Sequence, residues 1–194
     1  MPIVINGSGS VTGITTRLAD AAASAGSVLQ VVHSVLKTAN TGTNHTSYDA
    51  TGITATITPS AASSKVLVMA QVTGNTSVQK WVGLRLYRGG SVITDAISTT
   101  NTCTDYAQVD SHYANNNWIQ FPYQPNDGNA TSEIVTVPGI YLDSPSTTSS
   151  TTYDIRACGR ESGTTWYINR PIVGTSQDHA VGGTSTLTLM EIAG

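Results

Sequence analysis

Charge is scarce in this sequence. Only 11% of the residues are charged and just nine are lysine or arginine, where an ordinary globular domain carries roughly a quarter charged residues. Nine basic side chains at a net charge of −3 argue against a surface that tracks phosphates, which needs clustered Lys and Arg, so nucleic acid is not an expected partner. No apolar stretch approaches the roughly 20 residues that cross a bilayer, and membrane insertion is not expected either. The opening residues lack both the basic stretch and the unbroken apolar run of a secretory signal, which predicts folding in a cytosol. Cysteine is nearly absent. Cys103 and Cys158 match no zinc spacing and are expected to be free thiols in a chain without a secretory signal.

Thr, Ser, Gly and Asn occupy the places that charge leaves empty, together with many Val, Ile and Tyr. Disordered chains are poor in β-branched and aromatic residues, so this is a folding composition. It suits strands whose outer faces are covered by hydroxyls. Period-2 alternation recurs along the chain. Ile53, Ala55 and Ile57 alternate with threonines until Pro59; Val66, Val68, Ala70 and Val72 share one face of a strand whose other face carries Leu67, Met69 and Gln71, and both faces are expected to be largely buried. Val82, Leu84 and Leu86 oppose Arg85 and Tyr87, and Gly89-Gly90 reads as the two-residue turn of a hairpin. Tyr153, Ile155 and Ala157 alternate with Asp154, Arg156 and Cys158, and Leu187 and Leu189 alternate with threonines. Eight to ten short strands separated by turn signals predict an all-β fold, an antiparallel β-sandwich or jelly roll. Residues 96–133 interrupt the pattern as an irregular insertion in which WIQFPYQP holds one short strand, kept at an edge by Pro122 and Pro125.

Residues 1–27 read as a separate piece, a short extended segment followed by a small helix, before a body spanning 28–194. Ile3, Val4 and Ile5 are extended and apolar, a Gly/Ser stretch breaks them from Val11 and Ile14, and TRLADAAASAGS has helical spacing with Gly26 as its stop. Alanine buries little area, so such a helix needs a neighbour. Two readings of the leading peptide stand side by side. It is an anchor that adds to a partner's sheet edge or three-fold bundle, or it is the first strand of the body.

No local signature of a catalytic triad, a metalloprotease or a reactive cysteine is present, and no enzymatic activity, cofactor or metal is expected. His33, His45, His112 and His179 are scattered, and Asp178-His179 reads as a solvated loop. Carboxylates capable of acid–base work are isolated: Asp105 with Asp110 is the nearest couple, with Glu133 or Asp143 as distant partners. Tyr113, Asn115, Asn117, Trp118 and Tyr123 combine flat aromatic faces with planar amides, the chemistry of a sugar site, and equally that of a loop held down by its own aromatics or of a subunit contact.

TSYDATGITATITPSAASSK, SSKVLVMAQVTG, WVGLRLYRGGSVI and the ending STLTLMEIAG together resemble a domain of tailed-bacteriophage virion proteins, especially tail fibres and other appendages. MPIVINGSGSVTGI is similar to the first residues of such fibres. The strand pattern also resembles trimeric jelly rolls of the C1q and tumour-necrosis-factor type. The resemblance covers most of the chain outside 96–133 and implies a non-enzymatic homotrimer in the virion, assembled in the host cytoplasm. Ile3, Val4, Ile5, Val11 and Ile14 would attach it to other virion proteins of the tail, baseplate or capsid, and the body would face outward toward a host-surface glycan. A capsid decoration or cement protein and a lectin-like carbohydrate-binding module are the alternatives. No long shaft is visible, which departs from most fibres.

Overall fold

The computed structural model describes residues 4–5, 11–12, 24–77, 79–97, 117–122, 132–172 and 182–194. Among the described residues thirteen strands run in chain order: β1 (Val4–Ile5), β2 (Val11–Thr12), β3 (Val28–Leu36), β4 (Asn40–Gly42), β5 (Asp49–Ile57), β6 (Lys65–Thr76), β7 (Val82–Arg88), β8 (Ser91–Val92), β9 (Ile119–Phe121), β10 (Val135–Asp143), β11 (Thr151–Gly159), β12 (Trp166–Ile168) and β13 (Ser185–Ile192). A single 3-10 turn, Thr94–Ala96, is the one helical element among the described residues. The expected helix falls on residues outside the described set. Ser24 to Ser27, at its end, form a turn closed by a hydrogen bond from Ser27 N to Ser24 O.

Two sheets make the body, and their pairings are nested. The first sheet has six strands, β3-β13-β6-β10 with β12 pairing β6 beyond the end of β13 and β4 pairing β12, and the second runs β5-β11-β7 with β8 and β9 sharing the far edge of β7. The outermost strands in sequence pair with each other (β3 with β13), then β5 with β11, β6 with β10, and β7 with β9, all antiparallel. Such nesting is a long hairpin rolled over on itself, the connectivity of a jelly roll. The sandwich expected from the alternation is therefore what the chain forms. Inward residues fit it: Val66, Val68 and Val72 of β6 and Leu187 and Leu189 of β13 meet Leu84, Leu86, Tyr153 and Ile155 from the opposite sheet, all at most 1% exposed or fully buried. At roughly 25 cal/mol per Å² of apolar area removed from water, this layer is the main source of stability.

Local chemistry explains the irregular points. Gly89 and Gly90 have φ of +56° and +83°, as a two-residue hairpin between β7 and β8 demands. In β5 the register against β11 jumps between Thr54 and Ala50; Gly52 takes φ +87° and the Thr51 hydroxyl donates to Ile155 O at 2.6 Å, satisfying the carbonyl that the bulge leaves aside. Pro138 stands within β10, which is tolerated because β10 is an edge strand. β9 likewise lies at an edge, ahead of Pro122, as the sequence suggests.

One edge of β6 changes partner along its length, from β13 (up to Gln71) to β12 (from Gly74). Asn169 makes the changeover possible. It is 3% exposed with φ +59°. Its N–H donates to Thr73 O at 2.8 Å, its amide donates to Leu36 O at 2.8 Å and Thr38 O at 3.0 Å, and its Oδ1 accepts from Ser185 Oγ at 2.7 Å. Four backbone or hydroxyl groups that the broken ladder would strand are thereby satisfied.

Candidate functional site

Among the described residues, two carboxylates are buried in the body, and the fold gives both a structural task. Asp143 ends β10 on its inward side, 3% exposed. Arg88 Nη1 donates to both of its oxygens at 2.7 Å, and Tyr153 Oη donates to Oδ2 at 2.6 Å. Burial, then the hydrogen bond to Asp143, push the Tyr153 phenol upward. With both oxygens engaged, Asp143 is a clamp between the sheets. Glu191, unremarked in the sequence, is fully buried near the end of β13. Burial opposes its charge, yet hydrogen bonds from Gln30 Nε2 at 2.5 Å, Ser60 Oγ at 2.5 Å and Ser60 N at 2.7 Å hold the carboxyl below the usual carboxylate range.

Cys158 is a free, buried cysteine whose thiol burial pushes up to about 11, Arg85 lowering and Asp49 raising it further. A thiol that stays protonated at neutral pH is a poor nucleophile. Cys103, Asp105, Asp110, His112, Asp178 and His179 lie outside the described residues. Among the described residues, no group of three His, Cys, Asp or Glu side chains could hold a metal ion, and no helix is long and apolar enough to cross a membrane.

Of the aromatic–amide set, Tyr113, Asn115 and Tyr123 lie outside the described residues, while Asn117 and Trp118 are placed just ahead of β9. Asn117 Oδ1 accepts from Tyr48 Oη at 2.6 Å and packs over Gly83, where a Cβ would come within 2.0 Å of it. Trp118 N donates to Leu84 O at 3.0 Å, and its half-buried ring lies flat on Gly139. The two residues therefore tie β9 to β7 and β10. Of the N-terminal set, Val4 and Ile5 pair with Thr12 and Val11 as a two-stranded sheet that is part of neither sheet of the body; Ile3 and Ile14 lie outside the described residues.

The surface that sequence reasoning missed is the outer face of the β3-β13-β6-β10 sheet. Register places its side chains in rows across the four strands. Val31, Met190, Leu67 and Leu142 form one row, and His33, Thr188, Met69 and Ile140 the next. Val35, Thr186, Gln71 and Pro138 form the third. Val28 and Val31 are each 54% exposed, Leu142 48% and Ile140 68%. His33 sits on the edge strand with Nδ1 2.8 Å from Thr188 Oγ1. Not one carboxylate stands in these rows. A signal was present in the sequence: Leu67 and Met69 make the second face of β6 apolar, which implied that both faces were covered, whereas within one chain they are only half-buried and Gln71 is exposed.

The outer face of the second sheet has the opposite character. Thr56 and Thr152 hydroxyls bond each other at 2.8 Å, and Arg156 pairs with Asp154 at 2.6 Å and stacks 4.1 Å over Tyr87. Arg85 stacks over Tyr48 at 4.1 Å. Threonine, paired charge and stacked guanidinium make a surface suited to water. The body is thus two-sided, with one face built for solvent and one apolar.

No protein-family model matches this chain, and no curated protein matches it.

Proposed function

We propose that this chain is a non-enzymatic structural subunit of a tailed-bacteriophage particle: a short homotrimeric tail-fibre or tail-tip protein that attaches through its N-terminal residues and turns its body outward. The observation that carries the assembly half is the apolar outer face of the β3-β13-β6-β10 sheet. Contiguous exposed apolar patches on soluble proteins mark interaction sites, and a face with Val28, Val31, Ile140 and Leu142 in water is one that other copies cover. The attachment to a phage particle rests on the resemblance of the sequence segments, and the hairpin of Val4–Ile5 with Val11–Thr12, which belongs to neither sheet of the body, is consistent with a docking peptide.

Light scattering on the purified chain tests assembly: a mass of three chains is expected, and a stable monomer at micromolar concentration overturns it. Deletion of residues 1–23 spares the pairings that Gly26 and Ser27 make with Ala193. It leaves a folded oligomer that no longer joins particles; a deletion that unfolds the body instead removes the anchor reading. Electron microscopy of particles labelled at residue 194 distinguishes the tail from the head, where a decoration protein would cover the shell.

A further inference from the structure

Among the described residues, the nine-residue strands β3, β5 and β10 each have a neighbour in their own sheet on one side only. A long strand with a bare side offers a row of N–H and C=O groups to any other chain, and soluble proteins blunt such edges with lysine, proline, bulges or covering groups. The β3 and β5 edges protect each other. The Gln30 amide donates to Thr58 O at 2.7 Å and the Asn40 amide to Thr51 O at 3.1 Å, so amides of the first sheet take up carbonyls near both ends of β5. Gly52 adds a bulge to the same strand.

β10 has none of these devices. Val135–Asp143 holds no lysine, arginine or glutamate, its one charge, Asp143, is buried at its end, and its register against β6 runs through nine pairs without a shift. Pro138, one residue from the middle, is the exception to this regularity. Proline has no N–H to give a ladder and sits in sheets where that lack faces outward, and the unbroken pairing with β6 places the Pro138 nitrogen on the open side.

We propose that Pro138 guards the β10 edge against β10 of a second copy. Without it, two such strands would meet antiparallel about a two-fold axis and fuse the first sheets of two copies edge to edge. Residues two apart direct their backbone groups to the same side of an antiparallel strand, so Pro138 interrupts the row of outward N–H groups carried by Thr136, Ile140 and Leu142. In the register that overlaps the whole strand, Pro138 of each copy faces Ile140 of the other, and both central pairs lose a hydrogen bond. An uncharged segment rich in Val, Ile, Leu and Tyr is otherwise the kind that pairs with itself. This edge is separate from the outer face, and its guarding does not depend on how many copies assemble through that face.

Pro138→Thr and Pro138→Ala both restore the N–H, the first with and the second without a strand-favouring side chain. Light scattering on the full chain is expected to give each variant at least double the parent's mass, and hydrogen–deuterium exchange should find slowed amides within residues 135–143 of the larger species. Retention of the parent's mass by both variants overturns the guard. So does a larger species in which residues 135–143 gain no protection, because the new contact then lies elsewhere. A variant whose β5 and β11 amides lose protection has unfolded; Pro138 then supports the fold and not the edge, and the proposal fails. The parent's own mass, one chain or three, is the reference throughout, which keeps failure of the trimer reading apart from failure of the guard.

Discussion

Tyr153 Oη reaches Asp143 Oδ2 at 2.6 Å across the gap between the two sheets, and Arg88 holds the same carboxylate from a third strand. β7, β10 and β11 are thus pinned at one point. Removing the carboxylate strands a buried phenol, which costs about 1–3 kcal/mol, while Arg88, whose side chain is 36% exposed, recovers part of its loss in water. Asp143→Ala is expected to lower the unfolding free energy by about 2–3 kcal/mol and Tyr153→Phe by about 1 kcal/mol, read from urea midpoints. Equal, negligible effects of both would contradict the clamp.

Glu191 makes the acid limb of stability predictable. Its folded carboxyl titrates below the usual range, so within that window the unfolded chain binds more protons and stability rises with pH. The contribution is complete above about pH 4.3, the ordinary glutamate value, and is lost as pH falls through the lower folded value. Glu191→Gln should flatten this limb of a stability–pH profile measured by denaturant titration between about pH 5 and pH 3. An unchanged profile would show that other carboxylates dominate there.

Ile140→Lys separates assembly from folding. At 68% exposed the side chain contributes little within one chain, so the isolated body should change by no more than about 0.5 kcal/mol. Light scattering should nonetheless find the variant dissociated. A variant that stays assembled would place the contact elsewhere.

Gly139→Ala probes the seat of Trp118. A Cβ there would lie 2.7 Å, 2.8 Å and 3.0 Å from three atoms of the indole, whose backbone is tied to Leu84. Overpacking of this kind costs about 1–3 kcal/mol, and calorimetry should register it as a lower melting temperature. A neutral result would mean that the indole swings away freely.

How much of this was legible can be argued residue by residue. Alternation is a property of neighbouring residues, so the inward faces of β5, β6, β11 and β13 could be read directly from Ile53 to Ile57, Val66 to Val72, Tyr153 to Ala157 and Leu187 with Leu189. The same parity carries Glu191 inward behind Leu189, and Asp143 inward behind Tyr141; charge alone concealed them. Pairing across distance was not legible. Nothing near Asn169 announces that its amide will meet Leu36, and nothing near Trp118 names Gly139, because those contacts exist only after the sheet is rolled. The apolar outer face needed register: Val31 and Leu142 belong to one row only when β3, β13, β6 and β10 are set side by side. Residues 96–133 gave one correct element, β9, and an aromatic set of which Asn117 and Trp118 are seen bound into the body.

Gly26 donates to Ala193 O and Ala193 donates to Ser27 O, each at 2.8 Å, so the body's first and last strands leave the sandwich shoulder to shoulder. A circular permutant, with residue 194 spliced back to residue 27 and new termini cut at the Gly89-Gly90 turn, would retain every nested pair. The rolled hairpin is, in effect, a loop of thread with its two ends held together, and a guest domain hung on either end would emerge at the same pole.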